Sequence, residues 1–272
     1  MTKHTHLVVG AGKMGGALIS GWISSKTLKP DSLIILDPKP GEDALAAIKS
    51  GATHIKKSSK KIGVVTYVLL AIKPQSFASL AADIEKHLAK DAVIISILAG
   101  TSLNTLQQAF PGRSVIRAMP NTPASIGQGI TAYTKGSGVI DVHVKMTEAL
   151  LSAAGRVHHV PNEHLIDVVT AVSGSGPAYV FHMVEALEAA ATHIGMPESL
   201  APEFARQTII GAAALLSNTD SSAKDLRQNV TSPNGTTAAA LDVLMDINGL
   251  PSLMREAVQA ALKRAKELSE GG

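Results

Sequence analysis

Short apolar runs alternate with stretches of helical periodicity from Leu7 to about His159, and past Pro161 the short runs stop. This pattern predicts a parallel sheet covered by helices in the first part of the chain and helices alone in the second. The first strand is Leu7-Val8-Val9, and further strands are predicted over 33–36, 64–72, 93–98 and 114–117. A helix over 43–50 stops at Gly51, a residue suited to a left-handed C-terminal cap. In the second part, Leu165-Ile166-Asp167-Val168-Val169-Thr170 opens a long helical stretch that runs through Ala178 to Ile194, and 204–216 forms another.

The first strand ends in Gly10-Ala11-Gly12-Lys13-Met14-Gly15. Glycines at that spacing between a strand and a helix form a dinucleotide-binding turn. Gly10 allows the bend, Gly12 lets a pyrophosphate approach the backbone, and Gly15 lets the helix pack close to the sheet. The phosphates then lie on the unpaired N–H groups at the start of the helix near Lys13. The next strand ends in Asp37, roughly 20 residues past the last glycine, where such folds place the acid that meets the adenosine ribose. Lys39 offers the alternative, a cation for the extra phosphate of NADP, so these residues leave the choice of cofactor open. Three later strand ends also carry special loops: Lys73-Pro74-Gln75, Ala99-Gly100-Thr101 and Met119-Pro120-Asn121-Thr122-Pro123. One such loop is ordinary turn chemistry. Three on one sheet edge, together with the glycine turn, predict a cofactor cleft.

Polar side chains recur in the long helical stretch at His182, Glu185, Glu188 and Thr192, a narrow stripe on an Ala/Leu/Val/Met surface. Helices this apolar bury more than one small domain can cover, so they predict an all-α domain that packs against a second subunit. Two glycine-bearing segments interrupt it, Ser173-Gly174-Ser175-Gly176-Pro177 and Asn229-Val230-Thr231-Ser232-Pro233-Asn234-Gly235-Thr236-Thr237. In the second, Ser232 is the expected N-cap with Pro233 at the first helical position. The amides of Asn234, Gly235 and Thr236 are then free donors beside the hydroxyls of Ser232, Thr236 and Thr237; by spacing alone this reads first as an ordinary helix cap, and in the alternative as a small carboxylate-binding site.

Composition narrows the function classes. Of 272 residues 45% are hydrophobic but only 3% aromatic, so small and aliphatic side chains must fill the interior. A net charge of +3 and a basic cluster, Lys56-Lys57 with Lys60-Lys61, without aromatic residues among the lysines, argue against nucleic acid as partner. Cysteine is absent, which removes disulfides, thiolate catalysis and zinc–thiolate sites. His158, His159 and His164 flank a proline turn without carboxylates at coordinating spacing, so no metal is expected. The opening residues hold no apolar signal region and no run reaches membrane-spanning length, and the expectation is a cytoplasmic protein away from membranes.

Taken together, these motifs resemble one family, the pyrroline-5-carboxylate reductases. The matching pieces are Gly10-Ala11-Gly12-Lys13-Met14-Gly15, Ala71-Ile72-Lys73-Pro74-Gln75, Ser96-Ile97-Leu98-Ala99-Gly100, Arg117-Ala118-Met119-Pro120-Asn121-Thr122-Pro123, Ser173-Gly174-Ser175-Gly176-Pro177-Ala178-Tyr179 and Ser232-Pro233-Asn234-Gly235-Thr236-Thr237. They follow the family's order across nearly the whole chain. The resemblance implies an α/β chain, with an N-terminal Rossmann-type parallel-sheet domain over 1–161 and an all-α dimerisation and substrate-binding domain over 162–272. It implies a homodimer, extending to a ring of dimers such as a decamer, with the active site formed where one subunit's cleft meets the partner's helices. The activity implied is reduction of a small-molecule substrate, L-1-pyrroline-5-carboxylate, to L-proline with NADPH or alternatively NADH.

Carried over by position, Gly10, Gly12, Lys13, Met14, Gly15, Ala71, Ile72, Lys73, Pro74, Ala99 and Asn121 hold the cofactor. Ser232, Gly235, Thr236 and Thr237 hold the substrate carboxylate and ring nitrogen, with Asn229 and Glu163 near the pocket, and Thr237 is the expected catalytic residue, donating or relaying a hydrogen bond at the ring nitrogen. The chain departs from the family at Asn234, where glycine is usual and where asparagine best tolerates a left-handed backbone. It also departs just after the second strand, where many members carry a cation. A β-hydroxyacid dehydrogenase, which has the same two-domain plan, would need a lysine that the stretch 171–192 lacks. A non-catalytic dinucleotide sensor would need the cleft but not the Ser/Thr pocket.

Overall fold

The computed structural model describes residues 5–270. The segment through Ser175, together with the C-terminal segment from Ala261, forms one compact unit, and Gly176–Ala260 forms another.

The first unit is built on eight strands: β1 (His6–Val9), β2 (Leu33–Leu36), β3 (Thr53–Ile55), β4 (Tyr67–Leu70), β5 (Val93–Ser96), β6 (Val115–Met119), β7 (Gly129–Lys135) and β8 (Gly155–His159). Its helices are α1 (Lys13–Ser24), α2 (Glu42–Lys49), α3 (Phe77–Glu85), α4 (Leu103–Ala109), α5 (Asp141–Ser152) and α6 (His164–Val169). The strands lie in the order β3-β2-β1-β4-β5-β6-β7-β8. The first six follow the Rossmann order, parallel throughout, so the strand order reverses direction between β1 and β4. Strands covered on both faces need apolar side chains at every position, which explains their unbroken runs. Leu7, Val9, Leu36, Val68 and Leu70 face one core with Phe77, Ile84 and Phe110, while Val8, Ile35 and Leu69 face the other with Leu18 and Trp22. The indole of Trp22 on α1 donates to the Leu150 carbonyl of α5 at 2.6 Å, in a buried position.

The sheet differs from the sequence expectation in three respects. The strand expected over 64–72 is confined to Tyr67–Leu70, because Val64 belongs to a 3-10 turn, Lys60–Val64. β7 runs antiparallel to β6, so the sheet is not wholly parallel. The connecting residues 120–128 are too few for the crossover of about a dozen residues that a parallel pair requires. β3, β7 and β8 were not anticipated. In β7 threonines interrupt the apolar residues, while β3 and β8 lie at sheet edges, where their polar residues, Thr53, His54, Arg156 and His158, leave no apolar run to read.

In the second unit α7 (Gly176–His193) packs along α8 (Ala201–Ser217), followed by α9 (Ala223–Asn229), α10 (Thr236–Leu244) and the start of α11 (Leu250–Glu270). No residue of α7 or α10 is buried in the single chain, and Phe181, Phe204, Leu215 and Val243 are exposed. An apolar hollow of about 670 Å³, lined by Tyr179, Met183, Leu187, Ile209, Leu253 and Met254 among others, opens on this surface. Among the described residues no helix is long and apolar enough to cross a membrane.

Candidate functional site

The glycine turn leaves β1 at the point where the strand order reverses, and each of its glycines has its own reason. Gly10 has φ +89°, and a Cβ there would stand 2.7 Å from the Ala71 carbonyl oxygen at the end of β4. A Cβ on Gly15 would stand 2.2 Å from the Gly10 carbonyl oxygen, so the helix can start this close to the strand only without a side chain. At Gly12 a Cβ would meet nothing within 4 Å. That open ground, beside the first turn of α1, fits a pyrophosphate: Gly12 is the N-cap, and the amides of Lys13, Met14 and Gly15 precede the first intrahelical bond, Gly16 N–H to Gly12 O at 2.8 Å.

Asp37 stands at the end of β2 as expected, and both its oxygens are engaged by backbone. One accepts from the Ala11 N–H at 2.7 Å and the other from the Lys39 N–H at 2.7 Å. The carboxylate therefore braces the glycine turn, and its remaining lone pairs and the exposed Lys39 are what this edge offers a ribose.

On the other side of β1 a cleft of about 220 Å³ is lined by Met14, Ala71, Ile72, Ile97, Met119, Pro120, Asn121, Thr122 and Gly174. It brings together candidates from three separate stretches of the chain, Met14, Ala71 with Ile72, and Asn121. Lys73, Pro74 and Ala99 are exposed at the same sheet edge. The Asn121 side-chain oxygen accepts from the Ile130 N–H at 2.9 Å, which fixes the amide at the mouth of the 3-10 turn Thr122–Ile126. Ile97, Met119, Pro120, Thr122 and Gly174 also line the cleft and were not anticipated as site residues. Gly174 closes a π-helical turn, Thr170–Gly174, between α6 and α7, and a Cβ on it would lie 3.0 Å from the Met119 methyl. The Ser-Gly-Ser-Gly-Pro segment thus widens a helix rather than breaking it, a feature frequent at functional sites.

Glu163 lies on neither the cleft lining nor the Ser/Thr segment. Its carboxylate accepts from Arg117 at 2.6 Å and from the Leu103 N–H at 2.6 Å.

The Ser/Thr segment joins α9 to α10. Asn229 ends α9, and Ser232 to Gly235 form a turn closed by the Gly235 N–H to Ser232 O bond at 3.1 Å. Asn234 takes φ +57°, the left-handed conformation its residue type tolerates. A Cβ on Gly235 would meet the Ser232 hydroxyl at 2.5 Å, which can rotate away, and the Ser232 carbonyl oxygen at 3.1 Å, so glycine relieves a tight turn. The N-cap is therefore Gly235, not Ser232, and α10 starts at Thr236. The donors therefore lie two residues later: the Gly235 amide is spent on the turn, and those of Thr236, Thr237 and Ala238 precede the first intrahelical bond, from Ala239. Propensity favoured serine, but backbone geometry at Asn234 decided the start.

Among the described residues no group of three His, Cys, Asp or Glu side chains has an arrangement that could hold a metal ion. The His159 ring packs against Tyr133 at 5.2 Å between centroids.

Comparison with known proteins bears on both units. Residues 163–268 match the family model described as pyrroline-5-carboxylate reductase dimerisation, and residues 7–100 match one described as NADP oxidoreductase, coenzyme F420-dependent. The chain is 39% identical to the pyrroline-5-carboxylate reductase of a Synechocystis strain over 265 residues, covering 97% of each protein. It superposes on the solved pyrroline-5-carboxylate reductase of Coxiella burnetii with a TM-score of 0.88 at 31% identity, over 98% of this chain and 99% of that one. It superposes on the Plasmodium falciparum pyrroline carboxylate reductase, solved with NADP bound, with a TM-score of 0.83 at 26% identity, over 99% of each chain.

Proposed function

The chain belongs to the pyrroline-5-carboxylate reductase family, and we infer that it is an oxidoreductase that reduces L-1-pyrroline-5-carboxylate to L-proline, the last step of proline biosynthesis. The observation that carries this reading is the glycine turn at the reversal of strand order, whose Gly12 leaves open ground for a pyrophosphate. NADPH is the cofactor we assign, with NADH as the alternative, and when bound it supplies the hydride for the imine carbon.

The chain's own residues bind and orient. In this reading Gly10, Gly12, Lys13, Met14 and Gly15 hold the pyrophosphate, and Asp37 and Lys39 meet the adenosine ribose. Ala71, Ile72, Lys73, Pro74, Ala99 and Asn121 receive the rest of the dinucleotide. The substrate falls to Asn229, Ser232, Gly235, Thr236 and Thr237, with Glu163 near the pocket. A carboxylate suits the amides at the start of α10, where the helix dipole favours negative charge. The Thr237 hydroxyl donates or relays a hydrogen bond at the ring nitrogen. A protonated imine is already a strong electrophile, so the hydroxyl's task is to place the ring and hold the proton rather than to supply a strong acid.

We divide the chain into nucleotide binding over 1–161 and dimerisation with substrate binding over 162–272, which the match of 163–268 to a dimerisation model supports. The exposed apolar faces of α7, α8 and α10 support a homodimer. A ring of dimers such as a decamer is the larger assembly we propose, and sedimentation velocity reads its size. We assign the enzyme to the cytoplasm.

The test follows absorbance loss of NADPH and of NADH with pyrroline-5-carboxylate in separate cuvettes, with proline measured as product. Consumption with proline formed is expected, faster with NADPH. Binding of both cofactors without consumption of either would refute the activity.

A further inference from the structure

Arg117 of β6 is the most buried charged side chain described, at 1% exposure, and it sits among polar groups drawn from distant parts of the chain. Its two terminal nitrogens donate to Glu163 at 2.6 Å, to Asp167 of α6 at 2.9 Å and to Ser269 of α11 at 3.3 Å, and Ser269 in turn donates to Asp167 at 3.2 Å. The same Glu163 oxygen accepts from the Leu103 N–H, the first residue of α4, which follows the loop after β5. Ion pairs to a buried guanidinium are a poor device for stability, because apolar residues of equal volume often do as well or better. What a planar, two-armed guanidinium provides is fixed geometry.

The parts held in place lie next to the cofactor cleft. Arg117 pairs in register with Ser96 of β5, so the two strands leave the sheet side by side. β5 continues through Ile97 to Ala99 and on to Leu103, and β6 through Met119 to Asn121. Ile97, Met119 and Asn121 all line the cleft. Glu163 thus ties the residue after the β5 loop to the side chain that precedes the β6 loop. The adenosine half of a dinucleotide belongs at β2, beyond the glycine turn, and the nicotinamide half toward β4, β5 and β6.

We propose that Arg117 is a positioning residue: through Glu163 it sets the spacing of the β5 and β6 loops, and so the placement of the nicotinamide ring against the substrate. This rests on the cofactor assignment above. The experiment compares Arg117→Lys, which keeps the charge but not the two-armed grip, with the unaltered protein in three measurements. These are kcat with NADPH and pyrroline-5-carboxylate, the Kd for 2′,5′-ADP, which carries the adenosine half alone, and the kinetic isotope effect with NADPH deuterated at the transferred position.

A misplacement on the scale of an ångström costs up to about a hundredfold in rate, so a fall in kcat of about tenfold or more is expected. The 2′,5′-ADP affinity should stay within about twofold, since β2 and the glycine turn are untouched, and the isotope effect should rise as hydride transfer becomes slower than release. Unchanged kcat in a folded Arg117→Lys, or equal losses in kcat and in 2′,5′-ADP affinity, would overturn the proposal. Should that variant not fold, Asp167→Asn retains the Arg117–Glu163 pair while loosening its anchor, and the same split decides. If the unaltered protein consumes no cofactor, it is the reductase assignment that fails, not the positioning role.

Discussion

Replacing Gly12 by alanine separates cofactor binding from folding, and Gly15 is its control. The backbone at Gly12 has φ −76° and ψ −151°, open to any L-residue, and its Cβ would meet nothing within 4 Å. A glycine-to-alanine change at a compatible site restricts the unfolded chain and stabilises by about 0.4–1 kcal/mol. For a protein of this size that is a rise in apo Tm of roughly 1–4 °C. The methyl would stand on the ground proposed for the pyrophosphate. Forcing out even one hydrogen bond to a charged oxygen costs about 1.5–3 kcal/mol, or roughly 10- to 150-fold in Kd. Gly15→Ala has no such freedom, with its Cβ 2.2 Å from the Gly10 carbonyl oxygen, and should fail to fold or lose several kcal/mol. The assay is thermal unfolding of each variant with and without NADPH, together with a calorimetric NADPH titration. Gly12→Ala with an apo Tm several degrees lower, or with unchanged NADPH affinity, would refute the reasoning, as would a normally stable Gly15→Ala.

Thr237→Ala should lower kcat by at least about tenfold, below the roughly hundredfold ordinary for a positioned proton-transfer group; unchanged turnover would remove the hydroxyl from the mechanism. Trp22→Phe removes the donor to the buried Leu150 carbonyl and should cost about 1–3 kcal/mol in urea unfolding, and an unchanged midpoint would mean that water replaces the indole. Burial pushes the His143 imidazole below its ordinary value, and one of its ring nitrogens accepts from the Ile140 N–H. Its folded value being the lower one, the stability tied to the neutral ring is present above the unfolded value of about 6.5 and is lost as pH falls through the folded value. His143→Gln should flatten the acid side of stability against pH over that window, and an unchanged slope would exclude the ring as the cause.

What the residues alone determined was local. Gly10 and Gly15 announce the turn because a side chain on either would collide with backbone close to the strand that precedes it, and Gly12 between them leaves its ground open. The buried strands β1, β2, β4, β5 and β6 announce themselves because cover on both faces demands unbroken apolar runs. Asp37 and Asn234 were legible for the same reason, their positions and backbone preferences being set by neighbours in sequence. The excess of apolar surface on α7 and α8 was legible as composition, and it stands exposed on the single chain.

What tertiary structure alone decided depends on groups far apart in the chain. Edge strands β3 and β8 are polar and become strands only by pairing with a neighbour already in place. Gly174 joins the cleft because a π-turn lays it against Met119, and periodicity does not encode that wider turn. The start of α10 moved to Gly235 when the left-handed Asn234 closed the turn on Ser232. Arg117 reads in the sequence as one basic residue in a strand. Its meaning comes from Glu163, Asp167 and Ser269, which only the folded chain brings to one guanidinium, where low dielectric makes their geometry count.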